Sequence, residues 1–279
     1  VTDSVEDLLT LAATNEEPDS DPMDIDESSF KDLLPFRPAA YRDFMLYERH
    51  VIDASRGFVK KYMPHLLPLV KVYEGLMRKP FPMLKPKKRF YEHPIYYMGN
   101  HLNFLTEGDT IKIPSYTQEL DYELELAAVI HSPLKNATLQ EVEDAIAGFV
   151  ILNDFSARDV QKSEMESGFG PMKSKNFANA ISSVITSKHA LIDQLDQLSV
   201  RVIINQKVVA EGSTRGMYYS LQEAIVYASW EEQLHPGELF GSGTIPGCSG
   251  IENGTLLHPG DYITLEIDGI GSLTNHVAR

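Results

Sequence analysis

Residues 121–126 read DYELEL, and this short segment decides the prediction for the fold and for the site. In a β-strand, side chains two residues apart point to the same face. Glu123 and Glu125 therefore share one face, and the apolar residues between and beside them point to the other. Two carboxylates on one face repel each other, and a cation, water or a raised pKa must relieve that repulsion. A metal site and a solvated acidic face are both consistent with this pattern.

The chain around and after this segment is rich in strand-forming residues. Segments of Val, Ile, Leu, Tyr and Thr bounded by turn residues predict six strands, at Thr110–Ile113, Tyr122–Ile130, Gly148–Asn153, Val200–Ile204, Tyr262–Ile267 and Gly271–Thr274. Helices are predicted between them, at Leu139–Ala147, Ala157–Ser167 and Leu221–Ser229. Because the two kinds of element do not alternate regularly, the pattern predicts a strand-rich α+β fold rather than a series of βαβ units.

The region before residue 109 has a different pattern. Apolar residues recur at helical spacing over Tyr41–Lys61, which predicts one or two helices. Asp43 and His50 are seven residues apart there, so we expect both on one helical face. Residues 62–95 are rich in Pro and Lys and lack clean periodicity, which predicts an irregular connection rather than a core element.

Charge is distributed unevenly along the chain. Residues 1–30 contain ten acids and no Lys or Arg, so they carry −10 of the net −15. We predict an acidic flexible leader over residues 1–34. The negative charge disfavours nucleic acid and anionic membranes as partners. The chain has no run of about 18 apolar residues, no signal-peptide pattern and a single cysteine, which together predict a cytoplasmic protein.

Two further segments contain residue types that could line a site. The apolar run Gly148–Asn153 ends in Asp154, which is typical either of a site mouth or of a helix N-cap. The segment Gly241–Gly247 reads GSGTIPG and lacks the Lys and the spacing of a phosphate-binding loop. It is consistent with a tight connection between strands, or with backbone N–H groups and the Thr244 hydroxyl lining a pocket.

Together, these segments resemble the fumarylacetoacetase family, from about Tyr41 to Val277. The resemblance rests on motifs in the family's order, at Asp121–Leu126, Asn153–Gln161, Lys175–Phe177, Ser242–Pro246 and Asp268–Asn275. The spacing of Asp43 and His50 is similar to that of the fumarylacetoacetase branch. The resemblance implies a mixed β-sandwich roll and a homodimer. It also implies a catalytic domain over residues 109–279, preceded by a region, 35–108, that contributes Asp43 and His50.

The resemblance implies a role for each of these matched residues. Four acids match metal-ligating carboxylates: Asp43, Glu123, Glu125 and Asp154. Such all-oxygen ligation favours Mg²⁺ or Ca²⁺, and Mn²⁺ is also compatible. His50 matches the general base, and Glu252 matches the carboxylate that orients it. Three further residues match those that hold an anionic substrate: Arg158, Gln161 and Lys175.

Four positions match the substrate pocket: Met45, Tyr97, Met165 and Thr244. Met45 and Met165 stand where tyrosines line the pocket of animal fumarylacetoacetases. The loss of two phenol donors should change which substrate is preferred. We therefore expect a substrate more apolar than fumarylacetoacetate.

The resemblance implies a metal-dependent hydrolase that cleaves a C–C bond of a 1,3-dicarbonyl or acylpyruvate-type keto acid. One alternative on the same scaffold is decarboxylation of a β-keto acid such as oxaloacetate, and isomerase or hydratase chemistry is another. A third alternative is a non-catalytic relative that only binds its ligand. The presence of all four acids, together with His50, Arg158 and Lys175, disfavours that third alternative. The expected partner is a small-molecule keto acid.

Overall fold

A computed structural model gives the structure of residues 34–279, so the predicted acidic leader lies outside the described residues except for its last position. The strands are β1 (Tyr41–Phe44), β2 (Tyr96–Gly99), β3 (Phe104–Leu105), β4 (Thr110–Lys112), β5 (Leu120–Asp121), β6 (Leu124–Ile130), β7 (Ile146–Asn153), β8 (Ser156–Ala157), β9 (Asn179–Ile181), β10 (Thr186–Ser187), β11 (Ser199–Ile204), β12 (Lys207–Ser213), β13 (Leu239–Gly241), β14 (Tyr262–Ile267) and β15 (Gly271–Ala278). The α-helices are α1 (Glu48–Tyr62), α2 (Leu67–Met77), α3 (Lys88–Glu92), α4 (Leu139–Ala145), α5 (Arg158–Glu166), α6 (Lys188–Leu191), α7 (Leu221–Ala228) and α8 (Gly250–Asn253).

The strands form two main sheets and one short ribbon. The larger sheet has the order β2-β1-β13-β6-β7-β9-β3, with β10 also paired to β7. The second sheet has the order β12-β11-β14-β15-β4, and β5 pairs with β8. Strands β1, β2 and β3 thus join the same sheet as β6 and β7. The prediction of a strand-rich α+β fold with a mixed sheet is confirmed.

The antiparallel pair β6–β7 forms the centre of the larger sheet, and every residue of both strands is buried. The β-pleat divides their side chains between two apolar clusters. Leu124 and Leu126 belong to the main core, whereas Ala127 and Val129 belong to a smaller cluster on the opposite face. Alternation along β6 therefore places Glu125 on the same side as that smaller cluster. The carboxylate is buried because this sheet is covered on both faces.

The segment that contains Asp43 is a strand, so the prediction of helix from Tyr41 onward was wrong there. Strand β1 lies between β2 and β13, and helix α1 begins only at Glu48. Pairing on both sides satisfies the backbone N–H and C=O groups of β1, and this tertiary context overrides the helical spacing of its apolar residues. Asp43 and His50 consequently do not share a helical face.

The segment 62–95 also differs from its prediction, because it contains helix α2 and helix α3 and is followed directly by strand β2. Pro68 lies in the first turn of α2, where a missing backbone N–H breaks no helical hydrogen bond. The predicted helix Leu139–Ala147 ends at Ala145, because Ile146 enters β7. Among the described residues, no helix is long and apolar enough to cross a membrane.

Candidate active site

Three buried acids meet at one end of the larger sheet. Asp43 comes from β1, Glu125 from β6 and Asp154 from the residue after β7, and one carboxylate oxygen of each lies within 4.8 Å of the others. We call these three residues the acid cluster. The sheet order explains the meeting, because β1, β13, β6 and β7 are consecutive neighbours.

Gly241, on the strand between β1 and β6, provides the room that the acid cluster needs. A Cβ atom at this position would lie 2.8 Å from Oε2 of Glu125 and 2.9 Å from Oδ1 of Asp43. A side chain at Gly241 would therefore displace both carboxylates. Two positions later, the backbone N–H of Gly243 donates to Oε2 of Glu125 at 3.1 Å. The segment Gly241–Gly247 thus lines the acid cluster. This agrees with the prediction that its backbone N–H groups line a site.

The three carboxylates of the acid cluster are buried, and the nearby positive charge is too small to neutralise them. Burial raises the pKa of Glu125 well above its usual range, and repulsion by Asp43 and Asp154 raises it further. Burial also raises the pKa of Asp43 and of Asp154, although the Lys175 ammonium opposes both shifts. Oδ1 of Asp43 is buried and has no hydrogen-bond partner among the described residues. An oxygen-lined, unsatisfied acidic site of this kind fits a hard divalent cation.

Glu123, the fourth predicted ligand, lies outside the group of three in this structure. Its Oε1 accepts from Arg158 at 2.5 Å, and its Oε2 accepts from Lys175. Although burial opposes the shift, these two cations lower the pKa of Glu123. The Lys175 ammonium also contacts Asp154, so it bridges Glu123 and the acid cluster. Metal ligation by Glu123 stays a prediction.

His50 and Glu252 form a buried pair beside Glu123. Nδ1 of His50 lies 3.0 Å from Oε2 of Glu252, and its Nε2 lies 3.9 Å from Oε1 of Glu123. Glu252 is itself held in place, because Oε1 accepts from the N–H of Gly247 at 3.0 Å and Oε2 accepts from the Ser249 hydroxyl at 2.7 Å. Nδ1 is the ring nitrogen close to Glu252, although its N–H is not aligned for a hydrogen bond among the described residues, and Nε2 is the ring nitrogen on the side of Glu123.

This pair depends on close packing between α1 and α8. Gly57 lies two turns after His50 on α1, and a Cβ atom there would lie 2.0 Å from the backbone oxygen of Ile251 on α8. No side chain fits at that distance without moving one helix. Gly57 therefore allows the two helices that carry His50 and Glu252 to approach each other.

The Glu252 carboxylate should control the protonation of His50. Burial lowers the pKa of His50, but Glu252 and the charge of Glu123 together outweigh burial and raise this pKa above the ordinary 6.5. A general base must be neutral, so activity should rise with pH through this raised value. Glu252→Gln should lower the pKa of His50 and move the acidic limb of the kcat/KM profile to lower pH.

Comparing the pH profiles of Glu252→Gln and wild type at one Mg²⁺ concentration checks this expectation. The exposed Glu211→Gln serves as the control and should leave the limb in place. An acidic limb that stays fixed in Glu252→Gln would show that another group, not His50, determines it.

Asp121 is a buried acid whose role the sequence analysis missed. Its Oδ2 accepts from Nε of Arg158 at 2.7 Å and from the N–H of Ile251 at 2.8 Å. Its Oδ1 accepts from the N–H groups of Tyr122 and Gly250, each at 2.7 Å. One carboxylate therefore fixes both the Arg158 guanidinium and the first turn of the helix that carries Glu252.

Replacing Asp121 by Asn should destabilise the protein and weaken the site. An amide would place an N–H₂ group against donors, and each buried donor left without a partner costs about 2 kcal/mol. We expect the free energy of unfolding to fall by about that amount in a urea titration. The exposed Asp144→Asn, on helix α4, is the control and should change it by less than about 0.5 kcal/mol. Equal stability of both variants would contradict this role for Asp121.

The remaining predicted residues surround these groups. Arg158, Gln161 and Met165 recur at helical spacing along α5, and Nη1 of Arg158 donates to Oε1 of Gln161 at 2.8 Å. The Tyr97 hydroxyl donates to Oδ2 of Asp154 at 3.0 Å. Met45 follows β1 and lies against the segment Gly241–Gly247, in which Thr244 is buried. The side chains of both methionines are substantially exposed.

Comparison with known proteins identifies the family. The fumarylacetoacetate (FAA) hydrolase C-terminal family matches residues 76–278. This range includes Glu123, Glu125 and Asp154, whereas Asp43 and His50 lie before it. An uncharacterized protein of Methanocaldococcus jannaschii is 30% identical over 186 residues, covering 67% of this chain and 73% of its own length.

Two relatives with named activities are also similar. Oxaloacetate tautomerase of Bacillus subtilis is 31% identical over 188 residues, which cover 67% of this chain and 62% of the tautomerase. The 4-hydroxyphenylacetate degradation bifunctional isomerase/decarboxylase of Escherichia coli is 27% identical over 189 residues, which cover 67% of this chain but only 42% of the enzyme. The chain thus matches less than two thirds of the length of both.

The fold agrees with a solved structure. The 2-hydroxyhepta-2,4-diene-1,7-dioate isomerase of Mycobacterium marinum superposes with a TM-score of 0.64 at 22% identity, covering 88% of this chain and 77% of the isomerase. At this identity the likeness shows the fold alone. The family match over most of the chain, the relatives and the fold agree, and the chain therefore belongs to the fumarylacetoacetate hydrolase family.

Proposed function

We propose that this protein is a metal-dependent hydrolase that cleaves a C–C bond of a 1,3-dicarbonyl or acylpyruvate-type keto acid. The observation that carries the proposal is the buried pair of His50 and Glu252, in which Nε2 of His50 lies 3.9 Å from Oε1 of Glu123. Hydrolysis needs a base that activates water, whereas decarboxylation of a β-keto acid does not. A buried base with its own orienting carboxylate is the arrangement that water activation requires.

The acid cluster would hold the metal ion in this proposal. Asp43, Glu125 and Asp154 supply oxygen ligands. Glu123 would join them if Lys175, whose ammonium contacts both Glu123 and Asp154, turned toward a substrate. Mg²⁺ and Ca²⁺ suit this donor set, and Mn²⁺ is compatible. When bound, such an ion supplies a positive charge that polarises a carbonyl oxygen of the substrate.

His50 would begin the reaction by accepting a proton from water at Nε2. The hydroxyl oxygen then forms a bond to the carbonyl carbon. The C–C bond next to that carbon breaks, and its electron pair leaves with the other fragment as an enolate. His50 returns the proton to that fragment, so the products are a carboxylic acid and a ketone. Glu252 stabilises the imidazolium between the two proton transfers.

Lys175, Arg158 and Gln161 would bind the negative charges of the substrate. The cationic groups of Lys175 and Arg158 both contact Glu123, and Gln161 accepts from Arg158. All three groups therefore lie on the side of the acid cluster where Glu123 stands. Buried cations in such a position stabilise an oxyanion strongly, because few water molecules screen them.

Proton transfer without hydrolysis is the second candidate function. It is favoured by the similarity to oxaloacetate tautomerase and to the bifunctional isomerase/decarboxylase. A base such as His50 could equally move a proton between the carbon and oxygen of a keto acid. Decarboxylation needs no base, so it would survive the loss of His50.

The first experiment incubates the protein with Mg²⁺, or with EDTA, and with a panel of acylpyruvates, oxaloacetate and fumarylacetoacetate in H₂¹⁸O. Mass spectrometry follows the products. Metal-dependent cleavage with ¹⁸O in the new carboxylate supports hydrolysis. Release of carbon dioxide without that label indicates a decarboxylase. Exchange of the oxaloacetate methylene protons in D₂O without cleavage, faster than in the same buffer without protein, indicates a tautomerase, and either of these two results would overturn the hydrolase proposal.

We also propose that the protein is a cytoplasmic homodimer, on the basis of the resemblance and the composition described above. Light scattering after size-exclusion chromatography measures the mass directly. A mass near twice the 31.3 kDa of the chain supports the dimer, and a mass near 31.3 kDa contradicts it.

A further inference from the structure

Helix α2 presents an apolar face that no other part of residues 34–279 covers. Leu69, Val72 and Leu76 follow one another at spacings of three and four residues, so they lie on one side of the helix. Their exposed fractions are 57%, 60% and 78%. Met77, the last residue of the helix, is also exposed. A contiguous apolar stripe on a helix usually marks a contact with another element.

The surroundings of this face are strongly basic, although the chain as a whole is acidic. Residues 60–89 contain nine Lys and Arg residues and a single acid, Glu74. Among the described residues, five of these cations have no ion-pair partner: Lys60, Lys71, Arg78, Lys79 and Lys87. The face therefore suits an occupant that is both apolar and acidic.

The first thirty residues of the same chain have this composition. They carry a charge of −10 and include apolar residues at positions 5, 8, 9 and 12. These positions, Val5, Leu8, Leu9 and Ala12, have the spacing of one helical face. Thr10 and Thr14 do not fall on that face. The acids that follow, from Glu16 to Glu27, would meet the lysines beside the stripe.

We propose that residues 5–30 dock on the apolar face of α2, with the apolar positions on the Leu69, Val72 and Leu76 stripe. The connecting chain is long enough for this contact, because about twenty residues between positions 13 and 34 can span roughly 65 Å. A tethered segment also acts at an effective concentration in the millimolar range. Docking is therefore available without a partner molecule.

A second copy of the chain is the competing occupant, and charge disfavours it. Two copies that pair symmetrically through α2 would bring two basic segments together, because a two-fold contact uses the same patch on both subunits. The acidic segment instead neutralises that charge. Like-charge repulsion favours the segment of the same chain over the second copy.

Docking would also affect the helix that carries His50. Ile52 and Val59 of α1 pack with Val70 of α2 and with Leu84 in one apolar cluster. A covered α2 should therefore be better ordered, and α1 with it. This ordering of α2 and α1 does not depend on which reaction the site catalyses. The docking proposal can therefore fail while the hydrolase proposal stands, and the hydrolase proposal can fail while docking stands.

Hydrogen exchange of the α2 amides in the full chain tests the proposal. The double variant Leu8→Asp, Leu9→Asp should raise the exchange of residues 67–77 by about tenfold relative to wild type. The matched control Thr10→Asp, Thr14→Asp adds the same charge off the apolar face and should leave exchange unchanged. Wild-type protection should weaken at about 0.5 M salt, where charges are screened within a few Å.

Protein concentration separates the two occupants. Protection by the acidic segment should be the same at low and high protein concentration. Equal exchange in wild type and in the Leu8, Leu9 variant would overturn the proposal. Protection that grows with concentration would overturn it as well, because a second copy would then be covering the face.

Discussion

Replacing Glu125 by Gln is expected to remove the stabilisation that Mg²⁺ gives the protein and to lower turnover by about 10³-fold. Gln keeps the size of the side chain but supplies a neutral oxygen to the acid cluster. Mg²⁺ at about 100 times its Kd should stabilise wild type by about 2.7 kcal/mol, which a thermal melt detects as a rise of several degrees. The loss of several kcal/mol of charge stabilisation accounts for the fall in turnover.

The same variant should be more stable than wild type when metal is removed. The site contains six carboxylates (Asp43, Asp121, Glu123, Glu125, Asp154 and Glu252) and two cations (Arg158 and Lys175), so its net charge is −4 when all are ionised and His50 is neutral. Because the native pKa of Glu125 is raised, wild type loses stability as pH rises above the ordinary value of 4.5. Each pKa unit of the shift corresponds to about 1.4 kcal/mol. Gln does not ionise, so the variant escapes this loss.

Thermal melts at several pH values, with EDTA and with Mg²⁺, measure both effects. Below about pH 4 the metal-free variant and wild type should have similar Tm values, and the variant should gain the advantage toward neutral pH. The exposed Glu211→Gln is the control and should respond to Mg²⁺ like wild type. A Glu125→Gln protein that Mg²⁺ still stabilises would show that the ion binds elsewhere.

Replacing His50 by Ala is expected to lower kcat for hydrolysis by a factor between about 10² and 10⁴, the usual contribution of a general base. The Mg²⁺-induced rise in Tm should persist, because His50 is not part of the acid cluster. The combination of lost turnover and retained metal response separates the base from the ligands. His65, exposed near the end of α1, provides the control variant His65→Ala, which should retain full activity.

The outcome for His50 also distinguishes the candidate reactions. A decarboxylase should keep most of its rate in His50→Ala, because loss of carbon dioxide needs no proton acceptor. A hydrolase and a tautomerase should both lose activity in His50→Ala. The ¹⁸O label in the products of the wild-type protein then distinguishes these two reactions. Full hydrolytic activity in His50→Ala would exclude His50 as the base.

Asp121 shows how the two halves of the candidate site depend on one another. Its carboxylate holds Arg158, which contacts Glu123, and it also caps the helix that carries Glu252. A change at this residue should therefore disturb both substrate binding and the orientation of His50. Breaking a buried charge pair on one side leaves the other charge unpaired, which is why such residues are sensitive to substitution.

Local sequence could predict only which segments contain candidate acids. The DYELEL pattern and the apolar run that ends in Asp154 identify Glu123, Glu125 and Asp154, but these patterns are also consistent with a solvated acidic face and with a helix N-cap. The roles of His50, Lys175, Arg158 and Glu252 came from the resemblance to a family, and the structure brings these residues to one place. Their catalytic roles stay predictions until the variants are measured.

The parts that sequence could not predict depend on contacts between distant segments. The helical spacing of apolar residues over Tyr41–Lys61 did not indicate that Tyr41–Phe44 would pair with β13, almost 200 residues later. Three of the four partners of Asp121 are likewise distant, at 37 residues for Arg158 and about 130 residues for Gly250 and Ile251. Neither relation leaves a periodic signal in the chain, because periodicity reports only neighbours within one element.

The sequence by itself determined a strand-rich α+β fold and, through the resemblance to a family, which acids are candidates for holding a cation. The tertiary structure alone decided that Asp43 reaches the site from a strand, that Arg158 and Lys175 hold Glu123, and that Gly241 and Gly57 leave room for the groups around them. The physical reason is that alternation and charge are local properties of a chain. Which side chains share one buried, poorly screened volume depends on sheet order and helix packing, which bring together residues far apart in sequence.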